Sequence, residues 1–337
     1  MNNTGIILVL AYPETVVRTS TEWYSPYLRF MGMGTKNYVR AGHAALVLIE
    51  KVSGELAYYD FGRYVTKLSY GRVRSKERDR ELDFPLKATI RNGEIVNLEE
   101  ILHFLANNPQ LTHGEGKMMA SICNQVDYDA AATFIQYYMR KGATKYAAFD
   151  KNASNCARFV TDTIISATTN STIKKRLKQS KWFTPSTIGN VVLASTEVHC
   201  YEVSGDEIRF FNSTARKVTR RCFLDRLKDF EPTIEGNLQP KKLTILSENA
   251  QWLPGIGAGV WFELFPLPAK TYCYRIRRIS PNGNVDVDGI FKVNNPDFDW
   301  EQPYKFIYDS NCAFCSVLQD DTVFFFTFQE DYQLLVT

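Results

Sequence analysis

An unbroken apolar run, Ile6 to Tyr12, stands near the start of the chain and stops at Pro13 and Glu14. A short run of this kind, ended by a breaker, predicts a strand buried on both faces. His43 heads a second run, Ala44 to Glu50, which Val52-Ser53-Gly54-Glu55 turns into Leu56 to Phe61. Two such runs around a glycine-bearing turn predict a hairpin. Helical spacing takes over at Leu98, Ile101, Leu102 and Leu105, after Asn97 and before Pro109. A second helix is predicted over Asp129 to Arg140, ending near Gly142. A third begins near Ser154-Asn155, with Cys156, Phe159, Val160, Ile164 and Ala167 along its inner face. Thr184-Pro185 reads as an N-cap and first helical position, with Ile188, Val191 and Val192 behind it.

From about Ser195 the pattern shifts to strands. Ser204-Gly205-Asp206 and Pro281-Asn282-Gly283-Asn284 are turn signals. Tyr272 to Ile279 and Val285 to Phe291 read as a hairpin, and Thr322 to Phe328 and Tyr332 to Val336 as further strands. A chain of 337 residues is long enough for two cores. The expected architecture is α+β: a mixed domain over residues 1–195, then a smaller all-β barrel or sandwich over 196–337.

Composition narrows the functional classes. Hydrophobic residues make up 45% and charged residues 23%, ordinary values for a globular protein. Net charge is only +3, and the basic clusters Lys174-Lys175-Arg176 and Arg216-Lys217 with Arg220-Arg221 lie apart, so solvated faces are expected rather than nucleic-acid binding. No stretch approaches the ~20 apolar residues of a spanning helix, so stable membrane insertion is not expected. The first apolar run has no basic segment before it and no small-residue cleavage site after it. With Met1 as the natural start, a cytoplasmic location follows. Oligomeric state is not readable from the chain.

Seven scattered cysteines, an odd number, argue against a disulfide framework. Cys312-Ala313-Phe314-Cys315 lacks the second pair of ligands that zinc requires, so buried structural thiols are expected, and no cofactor or metal is called for. Gly255-Ile256-Gly257-Ala258-Gly259 lacks the spacing of a dinucleotide loop and reads as a turn or a close strand crossing, with Trp252 and Trp261 packing beside it. His103, His113 and His199 belong to no recognisable ligand set.

The chemistry concentrates on Cys156. A thiol at a helix N-terminus faces the positive end of the helix dipole, which favours thiolate. A histidine fixed on a neighbouring strand would complete an ion pair with it. With the hairpin turn centred between Ser53 and Gly54, His43 lies across from Tyr64, and the period of two puts Asp60 on the face of His43. Asp60 is therefore a candidate to orient the imidazole, and a register slip of one residue would put Tyr59 or Phe61 there instead. Taken singly, such a cysteine is more often a small core hydrophobe, and such a histidine a structural one.

Gly42-His43-Ala-Ala-Leu-Val-Leu-Ile49, Tyr58-Tyr-Asp-Phe-Gly62 and Asn155-Cys156-Ala-Arg-Phe-Val160 resemble the circularly permuted branch of the NlpC-like, papain-fold cysteine peptidases, which includes the lecithin retinol acyltransferase-like proteins. In that branch the histidine strand precedes the cysteine helix. The resemblance implies a permuted papain-like domain with Cys156 as nucleophile, His43 as general base and Asp60 as polar third member. The backbone N–H of Cys156 would hold the oxyanion, with the Asn155 side chain or Tyr12 as candidates for the second donor. Asn155 is equally suited to an N-cap, and Tyr12 to packing. The whole chain, including Gln251 to Trp261, also resembles a bacterial family of two-domain proteins that brings no activity with it.

The function so implied is a cysteine hydrolase or acyltransferase acting on an amide, in a peptide or cell-wall peptide, through a thioester. The partner is then a peptide or other acyl substrate. The alternative is a non-enzymatic ligand- or partner-binding protein on an inactive papain-like scaffold.

Overall fold

A computed structural model describes residues 2–231, 240 and 242–333. They divide into two compact units, the first built from 1–62, 71–73 and 84–231, the second from 63–70, 74–83 and 232–337. The first mixes helices with a sheet and the second is predominantly β, so the expected α+β class with a C-terminal β domain is what the structure shows.

The first unit is built on strands β1 (Gly5–Tyr12), β2 (His43–Glu50), β3 (Leu56–Gly62), β4 (Tyr70–Arg74), β5 (Met118–Val126), β6 (Thr144–Lys145), β7 (Tyr201–Ser204) and β8 (Glu207–Phe210). They form one sheet in the order β6-β4-β3-β2-β1-β5-β7-β8. Every residue of β1 is buried, as its uninterrupted apolar run requires. Ile7, Val9, Ala11, Ala44, Leu46 and Leu48 enter a core shared with helices α2 (Tyr128–Lys141) and α3 (Cys156–Ala167) and with Ile188 and Val191. On the opposite face, helix α1 (Leu98–Asn107) meets β1, where the Tyr12 hydroxyl donates to the Leu105 carbonyl at 3.4 Å.

The hairpin forms with a register two residues from the expected one. Ala45 pairs with Asp60 and Ile49 with Leu56, which puts His43 across from Gly62 rather than Tyr64. The loop closes between Glu50 and Glu55, where the Glu50 N–H donates to the Glu55 carbonyl at 3.0 Å. A shift of two preserves the face, so Asp60 still lies on the side of His43.

The expected boundary at 195/196 lies inside this unit. Tyr201 pairs with Ala120 and Val203 with Met118, so β7 and β8 extend the first sheet instead of opening a second domain. Ala215–Phe223 is a helix, α6, not a strand, because Val218 and Cys222 fall one turn apart on its buried side. The predicted Thr184 cap moves to Ser186, whose hydroxyl accepts from the Gly189 N–H at 3.0 Å and starts helix α5 (Thr187–Ala194).

The second unit is an antiparallel sheet of β9 (Gln251–Leu253), β10 (Val260–Pro266), β11 (Cys273–Ile279), β12 (Val285–Val293), β13 (Lys305–Ile307), β14 (Phe314–Gln319) and β15 (Thr322–Asp331), in the order β9-β10-β11-β12-β15-β14-β13. Its edges are tied by Gln251, whose amide donates to the Tyr304 carbonyl at 3.1 Å and accepts from the Phe306 N–H at 2.9 Å. That linkage makes the sheet barrel-like. The predicted hairpin is β11 and β12, and the strand placed at Thr322 runs on to Asp331. Tyr332 and Gln333 are not strand, and the rest of the strand expected over Tyr332 to Val336 lies outside the described residues.

Trp252 and Trp261 pack with ring centroids 5.3 Å apart. The glycine segment is a strand crossing, since the Gly257 N–H donates to the Arg63 carbonyl at 2.8 Å and a Cβ on Gly255 would strike Val65. Cys312 and Cys315 are buried thiols. Among the described residues, no helix is long and apolar enough to cross a membrane.

Candidate active site

The site starts from the two ends of strand and helix that bear His43 and Cys156. Gly42, with φ +76°, precedes His43, and a Cβ there would meet Pro13, Tyr12 and Thr187 at 3.0 Å. Only glycine takes that turn without strain, and the turn delivers His43 into β2. His43 Nε2 lies 3.0 Å from Asp60 Oδ2, and the Asp60 side chain is fully buried. The imidazole also interacts with the Cys156 thiol, through hydrogen bonding and charge.

Asp60 is itself held. The Tyr58 hydroxyl, two residues away on the same face of β3, lies 3.1 Å from Asp60 Oδ2 and 3.2 Å from the Thr112 carbonyl. Tyr12 stacks on the imidazole with ring centroids 6.4 Å apart. Its hydroxyl donates to the Leu105 carbonyl.

The cysteine end is built from one loop and one helix. Asn155 caps α3, its Oδ1 accepting from the Arg158 N–H at 2.9 Å while its Nδ2 donates to the Ala147 carbonyl at 3.1 Å. Both ends of that amide are therefore engaged, and of its two expected roles the cap is the one occupied. The buried Arg158 guanidinium donates to the Ala153 and Ala148 carbonyls at 2.7 and 2.8 Å. From the other side, Glu22 accepts from the Ala148 and Phe149 N–H groups at 2.8 and 3.2 Å. The segment leading into Cys156 is thus fixed along its length.

That segment supplies a residue the sequence did not reveal. The Tyr146 hydroxyl lies 4.0 Å from Cys156 Sγ, and its ring stacks on Phe61 at 5.9 Å and 7°. Alternation along β3 explains the pairing: Asp60 points to His43, and Phe61, on the opposite face, supports Tyr146. No spacing signal links Tyr146 to Cys156, because Phe61 and the loop together bring it there.

Electrostatics match the geometry. Burial works against a charged His43, yet hydrogen bonds and charge from Asp60 and Cys156 outweigh it and raise the imidazole to about 9. Burial likewise opposes a Cys156 thiolate. The imidazolium, the Ala44 N–H and the Tyr146 hydroxyl together overcome this and lower the thiol below its ordinary value. A thiolate–imidazolium pair is the arrangement these shifts favour. Other buried thiols, such as Cys123 and Cys312, are each pushed up to about 11, so Cys156 stands apart from them.

Residues 7–173 match the family described as type VI secretion system effector TseH-like. That stretch contains His43, Asp60, Tyr146 and Cys156. Residues 250–329 match a separate family, the DUF6695 C-terminal domain, and cover most of the β unit. No curated protein matches the chain. The crystal structure of the type VI secretion system effector TseH is 15% identical over 63% of this chain and 100% of its own, with a TM-score of 0.40. That likeness is too slight to bear on fold or function.

Proposed function

We propose that the chain is a cysteine hydrolase or acyltransferase of permuted papain-like type, acting on an amide bond. The observation that carries this reading is the buried Asp60–His43–Cys156 series, with its raised imidazole and lowered thiol. In the proposed reaction the Cys156 thiolate attacks the carbonyl carbon and the His43 imidazolium passes its proton to the leaving amine. The resulting thioester is resolved by water, whose proton His43 takes, or by a second amine. The Cys156 N–H is one oxyanion donor, and the Tyr146 hydroxyl is better placed for the second than Asn155 or Tyr12.

The match to secretion-system effectors supports a substrate outside the producing cell, and peptides, including cell-wall peptides, are the first class. The cytoplasmic location expected from the N-terminal residues is then where the chain is made rather than where it acts. The second reading, an inactive binding scaffold, is favoured by one observation: Cys156 and His43 are only 7% and 6% exposed. The test is to incubate wild-type and Cys156→Ala proteins with cell-wall peptides and synthetic peptide amides. Amide cleavage with an acyl adduct on Cys156, seen by mass spectrometry in the wild type alone, is the expected result. No cleavage and no adduct across these substrates, from a folded protein, would favour the scaffold.

A further inference from the structure

The first unit exposes large aromatic side chains in a way its core does not require. Trp182 is 85% exposed, Trp23 83%, Phe183 74% and Phe30 73%. Two of them are joined by a chain of ring contacts: Phe183 meets Phe149 at 4.7 Å, Phe149 meets Tyr24 at 5.2 Å, and Tyr24 meets Trp23 at 5.9 Å, while Trp182 adjoins Phe183 in the sequence. Phe30 lies on the short 3-10 helix Ser25–Met31 that follows directly. Burial of such rings is worth enough that a contiguous exposed set marks an interaction surface.

The flank of this patch is basic. Helix α4 (Ser171–Ser180) carries Lys174, Lys175, Arg176 and Lys178 and no acidic residue, and its chain runs straight into Trp182 and Phe183. Helical spacing puts the exposed Lys175 and Lys178 along one side, and the turn after the helix leads to Trp182. Buried Ile173 and Leu177 fix the opposite side on the core, so the basic side faces outward.

We infer that this surface docks the first unit on an anionic phospholipid bilayer. Protruding Trp and Phe rings suit the headgroup region, where amphipathic aromatics gather, and a neighbouring cluster of Lys and Arg is drawn to anionic headgroups. Rings exposed to this degree fit shallow entry into a fluid interface. Docking of this kind is peripheral and needs no spanning segment. It would also set the Tyr146–Asn155 segment, which bears Phe149 and leads into Cys156, against the membrane.

The inference does not depend on the proposed chemistry, so binding is measured on the full chain carrying Cys156→Ala. Sedimentation with vesicles of phosphatidylcholine and phosphatidylglycerol, at about three to one, is compared with pure phosphatidylcholine vesicles and with purified peptidoglycan. Preferential pelleting with the anionic vesicles is expected, with a blue shift of tryptophan emission. Combining Lys174→Gln, Lys175→Gln and Lys178→Gln should weaken that binding on the order of a hundredfold. The set Trp23→Ser, Trp182→Ser and Phe183→Ser should weaken it by about tenfold or more and abolish the blue shift. All six positions are at the surface, and an unchanged circular-dichroism melt confirms that each variant folds. The inference is overturned by absence of vesicle binding, by equal binding of wild type and variants, or by pelleting with peptidoglycan alone.

Discussion

Replacing Asp60 by Asn isolates the group that makes His43 basic. The side chain keeps its size and can still hydrogen-bond, but the buried negative charge 3.0 Å from Nε2 is gone. The rise of His43 from an ordinary 6.5 to about 9 corresponds to roughly 3 kcal/mol in favour of imidazolium. Asp60 and Cys156 supply that preference against the opposing effect of burial. Removing the Asp60 charge should therefore lower the His43 titration by at least about one pH unit, worth ~1.4 kcal/mol. The chain has four histidines, so proton NMR resolves the ring signals, and His43→Gln identifies the one to follow.

Stability gives a second readout of the same substitution. A group whose folded pKa is raised contributes fully below its unfolded value and loses that contribution as pH rises through the folded value. Asp60→Asn should thus cost the most near pH 6, and part of that cost should vanish above about pH 9. Urea denaturation at pH 6 and pH 10 measures the difference. A His43 titration that stays in place, together with a stability loss equal at both pH values, would refute the electrostatic role of Asp60.

Tyr146→Phe removes the hydroxyl near Sγ but keeps the stack on Phe61, so Cys156 alkylation near pH 7 should slow several-fold with no change in melting. Asn155→Ala loses the cap of α3 and the tie to Ala147, and should lower stability by about 1–2 kcal/mol in chemical denaturation. In the β unit, burial pushes the Asp286 carboxyl up to about 7, with Arg278 opposing the rise. A carboxyl raised in this way costs stability as pH rises through its folded value, so Asp286→Asn should stabilise the chain at pH 8 relative to its effect at pH 5. Thermal unfolding at the two pH values checks the sign.

Much of this architecture could be read from apolar runs. β1 and β2 are almost wholly apolar because both faces are covered, and that is the pattern local sequence shows best. The hairpin register was two residues off because the loop closes between Glu50 and Glu55, yet parity alone sufficed to put Asp60 beside His43. The central strand Met118–Val126 was not predicted; its Met, Ala, Ser and Cys residues carry no clear period. The expected boundary at 195/196 falls inside the first unit because pairing of Tyr201 with Ala120 is a long-range choice that no local signal near Ser195 encodes. Tyr146 was invisible for a related reason, since its place depends on a stack with Phe61 from a distant strand. The polar atoms of Asn155 bond Arg158 and Ala147, and the Tyr12 hydroxyl bonds Leu105, partners far apart in sequence or set by the loop, which local spacing does not encode.

The pH dependence of Cys156 alkylation, read by mass spectrometry in wild type and His43→Ala, tests the central claim most directly. An ordinary thiol titrates near ~8.5. The wild-type Cys156 titration should lie below that. In His43→Ala burial acts without its main counterweight, and the titration should move above the ordinary value. A Cys156 that titrates at the same pH with and without His43 would contradict the ion pair, and with it the cysteine-hydrolase account.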